Sequence, residues 1–155
     1  MVTDLDGLAQ SAAQDLLVVI DGNNFLFTQS PRYGDYREPG FPGDTHQERL
    51  IADVLALLHQ RPDLAVDLWF DNPVPAIDQR SERLRVIQSG GKGKNRADRA
   101  ILAFLRQHKN DPGHRPYLLI TQDKKLRKRG RTVTRTTFQF PQSFEGPPHN
   151  TLDFQ

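Results

Sequence analysis

Asp21 closes the apolar run Leu16-Leu17-Val18-Val19-Ile20, Asp71 closes Val66-Asp67-Leu68-Trp69-Phe70, and Asp123 follows Tyr117-Leu118-Leu119-Ile120-Thr121-Gln122. Runs this apolar read as strands buried on both faces of a parallel sheet. In an open α/β sheet the strand C-termini gather along one edge, and ligands bind at that edge. Carboxylates delivered there from separate strands converge, and two such charges about 4 Å apart repel by about 4 kcal/mol at an effective dielectric of about 20. A converging set therefore needs a metal ion, a bound proton or a basic partner. Each aspartate also has a plain structural reading. Asp21-Gly22 and Phe70-Asp71-Asn72-Pro73 are good turn sequences, and Asp123 suits a helix N-cap. The functional weight comes from their recurrence at equivalent positions.

A fourth acid, Asp98, falls in Asn95-Arg96-Ala97-Asp98-Arg99-Ala100-Ile101, in the first turn of an expected helix, where the helix dipole alone would favour it. The loop before it, Ser89-Gly90-Gly91-Lys92-Gly93-Lys94, is flexible and cationic, which suits phosphate. It is not a Walker A loop, because Asn95 stands where Ser or Thr is required and Gln88 where the first glycine should be. The five histidines show no metal-ligand spacing, and with no cysteine the chain has neither disulfides nor thiolate sites.

The elements that would position these residues alternate between strand and helix. Strands are expected at 16–20, 65–70, 84–88, 117–121 and, at an edge, 131–135. Helices follow the apolar spacing of Leu50, Ile51, Val54, Leu55 and Leu58, with a capping box at Thr45 and Glu48, and of Ala97, Ala100, Ile101, Phe104 and Leu105. A short basic helix should start at Asp123 and stop at Gly130. Residues 28–44 and 72–75 read as loops from their Pro and Gly content. The pattern is that of a three-layer α/β/α domain at 16–140, with an N-terminal extension at 1–15 and a Pro-rich tail at 141–155.

The net charge of +2 conceals an asymmetry. Residues 80–135 hold 17 of the 21 Lys and Arg but four of the 19 acids, leaving +13 in that segment and −11 elsewhere. So lopsided a block points to a polyanion partner. No basic leader or apolar run of about 20 residues is present, so neither secretion nor a membrane is expected. The absence of cysteine suits a cytoplasmic location.

Val19-Ile20-Asp21-Gly22-Asn23-Asn24-Phe25, Trp69-Phe70-Asp71, Asn95-Arg96-Ala97-Asp98-Arg99-Ala100-Ile101 and Ile120-Thr121-Gln122-Asp123 together resemble the successive motifs of NYN domains, within the PIN-like nuclease superfamily, and the YacP-type bacterial members in particular. The likeness covers roughly residues 16–135. It implies a central parallel sheet of order 3-2-1-4-5, Mg²⁺ or Mn²⁺, and endonucleolytic hydrolysis of RNA. Two departures stand out: Gln122 replaces a small residue, and the segment after Asn24 soon becomes a Pro/Gly loop. On this reading Asp21, Asp98 and Asp123 ligate metal, with Asp71 as a further candidate, while Asn24 and Thr121 orient ligands or water. Lys92, Lys94, Arg96, Arg99, Lys124, Lys125, Arg127, Lys128 and Arg129 would hold the RNA backbone, in a ribosomal or other ribonucleoprotein setting. The alternative is a non-catalytic RNA-binding or regulatory module of the same fold. A haloacid-dehalogenase-type phosphatase is disfavoured, because Asn23 stands where that chemistry needs an acid. The sequence leaves the oligomeric state open.

Overall fold

The protein is described by a computed structural model covering residues 4–12, 14–29, 32–93, 95–108, 117–121, 123–126, 128–129 and 137–139. Strand β1 (Leu17–Asp21) lies inside the sheet, parallel to β2 (Ala65–Phe70) on one side and β5 (Tyr117–Ile120) on the other. Strand β4 (Leu84–Gln88) runs parallel to β2, and β6 (Thr137–Gln139) parallel to β5. Strand β3 (Ala76–Ser81) turns back and pairs antiparallel with β4. The order is β3-β4-β2-β1-β5-β6 in a mixed six-stranded sheet.

The strands expected at 84–88, 65–70, 16–20 and 117–121 lie side by side in that order, but the sheet is mixed and six-stranded, because an unexpected strand is added antiparallel at its edge. The chain does not remain a loop after Pro75 but forms β3, which is exposed along nearly its whole length. Such a strand has no core face, so no apolar alternation marks it. Among the described residues the last strand is β6; the expected strand at 131–135 and the tail at 141–155 lie outside them.

Strand alternation divides the interior in two. Val18, Ile20, Val66, Leu68, Phe70, Leu84, Val86, Leu118 and Ile120 face helices α1 (Asp4–Ser11), α2 (Gly22–Thr28) and α3 (Asp44–Gln60). Leu17, Val19, Trp69, Ile87 and Leu119 face α4 (Arg96–His108), which contributes Ile101, Leu102 and Leu105. Helices thus cover both faces of the sheet.

Local details differ from the sequence expectation. The stretch read as an N-terminal extension contains α1, whose Leu5 and Leu8 are buried. Arg61 secures its end by donating to the carbonyls of Ala9 and Ala12, each at 3.0 Å. Helix α3 starts without the Thr45/Glu48 box: Gly43 is its N-cap, and His46 Nδ1 accepts the Gly43 N–H at 2.9 Å. Glu48 is directed elsewhere, pairing with Arg80 on β3 at 2.9 Å. No described helix is long and apolar enough to cross a membrane.

Two constraints fix the sheet near the strand ends. A Cβ on Gly22 would stand 2.5 Å from Phe70 Cε1 and 2.6 Å from the Trp69 carbonyl oxygen. Glycine is what lets α2 begin against β2. On the α4 side, Asp67 is 3% exposed and its carboxylate takes two bonds from Arg85, Nε to Oδ1 at 2.8 Å and Nη2 to Oδ2 at 2.6 Å. The two residues face each other in register on β2 and β4, and the guanidinium lies over the Phe104 ring, 5.9 Å from its centroid. Arg85→Ala strands a buried carboxylate and should lower stability by about 3–5 kcal/mol. The Asp67→Leu/Arg85→Met pair should recover most of it, measured by urea unfolding; equal losses in the single and double variants would contradict this account.

Candidate functional site

The same alternation that buries Val19 and Trp69 against α4 directs Asp21 and Asp71, two residues further along their strands, to that side at the sheet's C-terminal edge. Thr121, next after β5 and two past Leu119, follows the same parity. Helix α4 starts at this edge and brings Asp98 in its first turn.

Asp21 is 4% exposed. Its Oδ2 accepts the Thr121 hydroxyl at 3.2 Å, and its Oδ1 accepts the Asn24 backbone N–H at 3.5 Å, so the residue is also the N-cap of α2. Thr121 Oγ1 in turn accepts the Asp123 N–H at 3.1 Å. A hydroxyl has one proton; here it points to Asp21 while a lone pair takes the N–H. Thr121 therefore ties Asp21 to Asp123. Asp123 Oδ1 accepts the N–H groups of Lys125 (2.9 Å) and Leu126 (3.2 Å), capping the helical turn at 124–126. Its capping and site roles coexist.

The carboxylates feel one another. Burial, with further pushes from the charges of Asp123 and Asp71, raises Asp21 to about 6 against the bonds from Asn24 and Thr121. Asp98 is raised to about 7, first by burial, then by the charge of Asp21 and by a hydrogen bond with the Asp123 carboxyl, with Asp71 contributing last. Two of the three answers to crowded acids are thus available: the raised Asp98 favours its protonated form below about pH 7, and Asp71 holds a cation, because Arg96 Nε donates to Asp71 Oδ1.

The donor set suits a hard cation, since every ligating group is an oxygen. Among the described residues, however, no three acidic or imidazole side chains are gathered closely enough to hold an ion as they stand. Mg²⁺ keeps several waters and needs only one or two carboxylates, so Asp21 with Asp98 or Asp123 fits it in chemistry without a closed cage. Loading would require Asp98 to release its proton.

The expected RNA-binding residues divide. Lys92, Arg99, Lys124, Lys125, Lys128 and Arg129 are exposed; Lys94 and Arg127 lie outside the described residues. Arg99 also donates to the Lys92 carbonyl. Arg96 is paired with Asp71. The basic block is also partly structural: Arg80 pairs with Glu48, Arg85 with Asp67, and Arg83 donates to the carbonyls of Leu58, Arg61 and Leu64 at the end of α3. Asn24 reaches Asp21 through its backbone. Its neighbour Asn23, which sequence reasoning passed over, accepts the Asp71 N–H at 2.8 Å and joins α2 to the end of β2. Only the Asn-Asn pair after Asp21 hinted at it.

No protein-family model, curated protein or solved structure matches the chain.

A carboxyl whose folded pKa is raised favours the fold while protonated. That contribution is complete below its ordinary value of 3.8 and is lost as pH rises through about 6 for Asp21. Ionised Asp21 thus lowers stability by on the order of 3 kcal/mol without metal. Asp21→Asn should raise Tm by several degrees at pH 7.5 in EDTA and change it little at pH 4. An unchanged or lower Tm at pH 7.5 would contradict the burial argument.

Proposed function

We propose that the chain is a Mg²⁺- or Mn²⁺-dependent endoribonuclease of PIN-like architecture, acting on cytoplasmic RNA. The observation that carries this reading is the buried Asp21 carboxylate at the sheet edge, tied through the Thr121 hydroxyl to Asp123, with Asp98 near enough to feel its charge. Asp21 and Asp123 each cap a helical turn, yet caps need not be brought beside two further acids at one sheet edge. The resemblance to NYN domains supports the same reading, and the exposed Lys92, Lys124, Lys125, Lys128 and Arg129 offer a surface for phosphates.

In this mechanism Asp21, the most buried acid of the cluster, is the anchoring ligand. Thr121 holds its Oδ2 and the Asn24 N–H its Oδ1, so the carboxylate keeps one orientation. Asp98 and Asp123 complete the set directly or through water. A bound Mg²⁺ or Mn²⁺ supplies charge to polarise a phosphoryl oxygen and to make a water more acidic. Asp98, raised to about 7 in the metal-free protein, would give up its proton on joining the set. The basic surface positions RNA through its phosphates and reads no sequence.

A second reading, a non-catalytic RNA-binding module, is favoured by one observation: Arg96 already relieves the charge of Asp71 without metal. Cleavage of an unstructured, end-labelled RNA separates the two. Wild type should cut in Mn²⁺ and not in EDTA. Asp21→Asn and Asp123→Asn should each lower the rate by on the order of 100-fold or more. RNA binding without cleavage in Mn²⁺ across several RNAs would establish the module instead.

Thr121→Val removes the hydroxyl between Asp21 and Asp123 at constant shape. Its cleavage rate should fall about tenfold or more, while Thr121→Ser stays near wild type. Equal rates for Val and Ser would show that the tie is dispensable.

A further inference from the structure

We propose that Asp71 is a positioning residue for Arg96, and that the guanidinium it holds is the phosphate-binding group of the cleft; this rests on the reading of the site as an RNA-cleaving centre. Asp71 thereby leaves the set of metal ligands.

Asp71 is fixed from two directions. Its backbone N–H is bound by Asn23 Oδ1 at 2.8 Å, and its carboxylate receives Arg96 Nε. The two side chains are 34% and 23% exposed, so the pair sits half-buried at the rim. Arg96 is the first residue of α4, two before Asp98, and the Asp71 charge is felt at both Asp21 and Asp98. The pair therefore borders the carboxylate cluster.

A guanidinium is a rigid planar fork of five N–H donors. Asp71 engages it through Nε, and among the described residues Arg96 has no other acceptor. The terminal nitrogens are left oriented and in need of one. A phosphodiester suits that fork, matching it in charge and in its paired oxygens. With Oδ1 committed to Arg96, a metal on Asp71 would compete with the guanidinium for one carboxylate, and drawing it away would leave a half-buried cation unpaired. The exposed Lys92 lies on the glycine-rich loop leading into α4, where Gly90, Gly91 and Gly93 adopt φ of +68°, +89° and +81°. It offers a second, looser cation on the segment that leads to Arg96.

The test uses two ligands separately. Affinity for a fluorescein-labelled single-stranded RNA is measured by anisotropy in EDTA, and Mn²⁺ affinity by electron paramagnetic resonance of the protein without RNA. Arg96→Gln and Asp71→Ala should each weaken RNA binding about tenfold, as expected for loss of a charge-assisted contact. The double variant should be no weaker than Arg96→Gln alone, because Asp71 acts only through Arg96. Asp71→Asn, which still accepts from Nε, should retain most of the affinity and guards against a folding defect in Asp71→Ala. Mn²⁺ affinity should stay within twofold in all four variants. Loss of Mn²⁺ affinity in Asp71→Asn with RNA affinity intact would overturn the proposal and return Asp71 to the metal. Additive losses in the double variant would overturn it as well. Wild-type protein that binds neither RNA nor Mn²⁺ would instead bring down the functional reading on which it rests.

Discussion

The Asp21 carboxylate, buried at the end of an interior strand with other acids beside it, is the charge that the surrounding structure has to answer. Burial makes its ionised form unfavourable, and the charges of Asp123 and Asp71 add to that. The fold responds with Thr121 and the Asn24 N–H on its oxygens, a proton on Asp98 and a guanidinium on Asp71. Each comes from a different element, so the site depends on how β1, β2, β5, α2 and α4 meet. Gly22 permits that meeting, since any Cβ there would strike the backbone of β2.

Sheet alternation makes the arrangement possible. Asp21, Asp71 and Thr121 fall on the α4 side because Val19, Trp69 and Leu119, two residues earlier, are core residues of that side. A one-residue slip of β1 would bury Asp21 among the α1–α3 side chains and dismantle the cluster. The Asp67–Arg85 pair lies on the same α4 face, so β2 and β4 are locked in register by a polar contact as well as by packing. The apolar core and the acid cluster are products of one register.

Much of this was legible in the sequence, and the exceptions have physical causes. The α/β class and the interior strands followed from long apolar runs, which bury both faces. Helix α2 was read as a turn, because Gly22-Asn23-Asn24 is poor helix sequence; burial of Phe25 and Leu26 overrides that propensity. Strand β3 carried no signal, since one isoleucine in six largely exposed residues gives no periodicity. Asp98 read equally well as a capping acid, and only its elevation by Asp21 and Asp123 distinguishes the two. The Arg96–Asp71 pair joins residues 25 apart in the chain and left no local trace. The basic segment misled in part: Arg80, Arg83 and Arg85 hold the fold, so the field available to a polyanion is smaller than the count of charges implies.

The central claim is that the acid cluster binds a divalent cation in exchange for the proton that the raised Asp98 favours. A crystal structure grown at pH 7.5 with Mn²⁺, recorded for anomalous scattering from manganese, tests it most directly. The account predicts one strong anomalous peak within direct or single-water reach of Asp21, Asp98 and Asp123, with the Asp98–Asp123 hydrogen bond opened and Arg96 still on Asp71. No peak at the sheet edge, with Asp98 still bonded to Asp123, would contradict it.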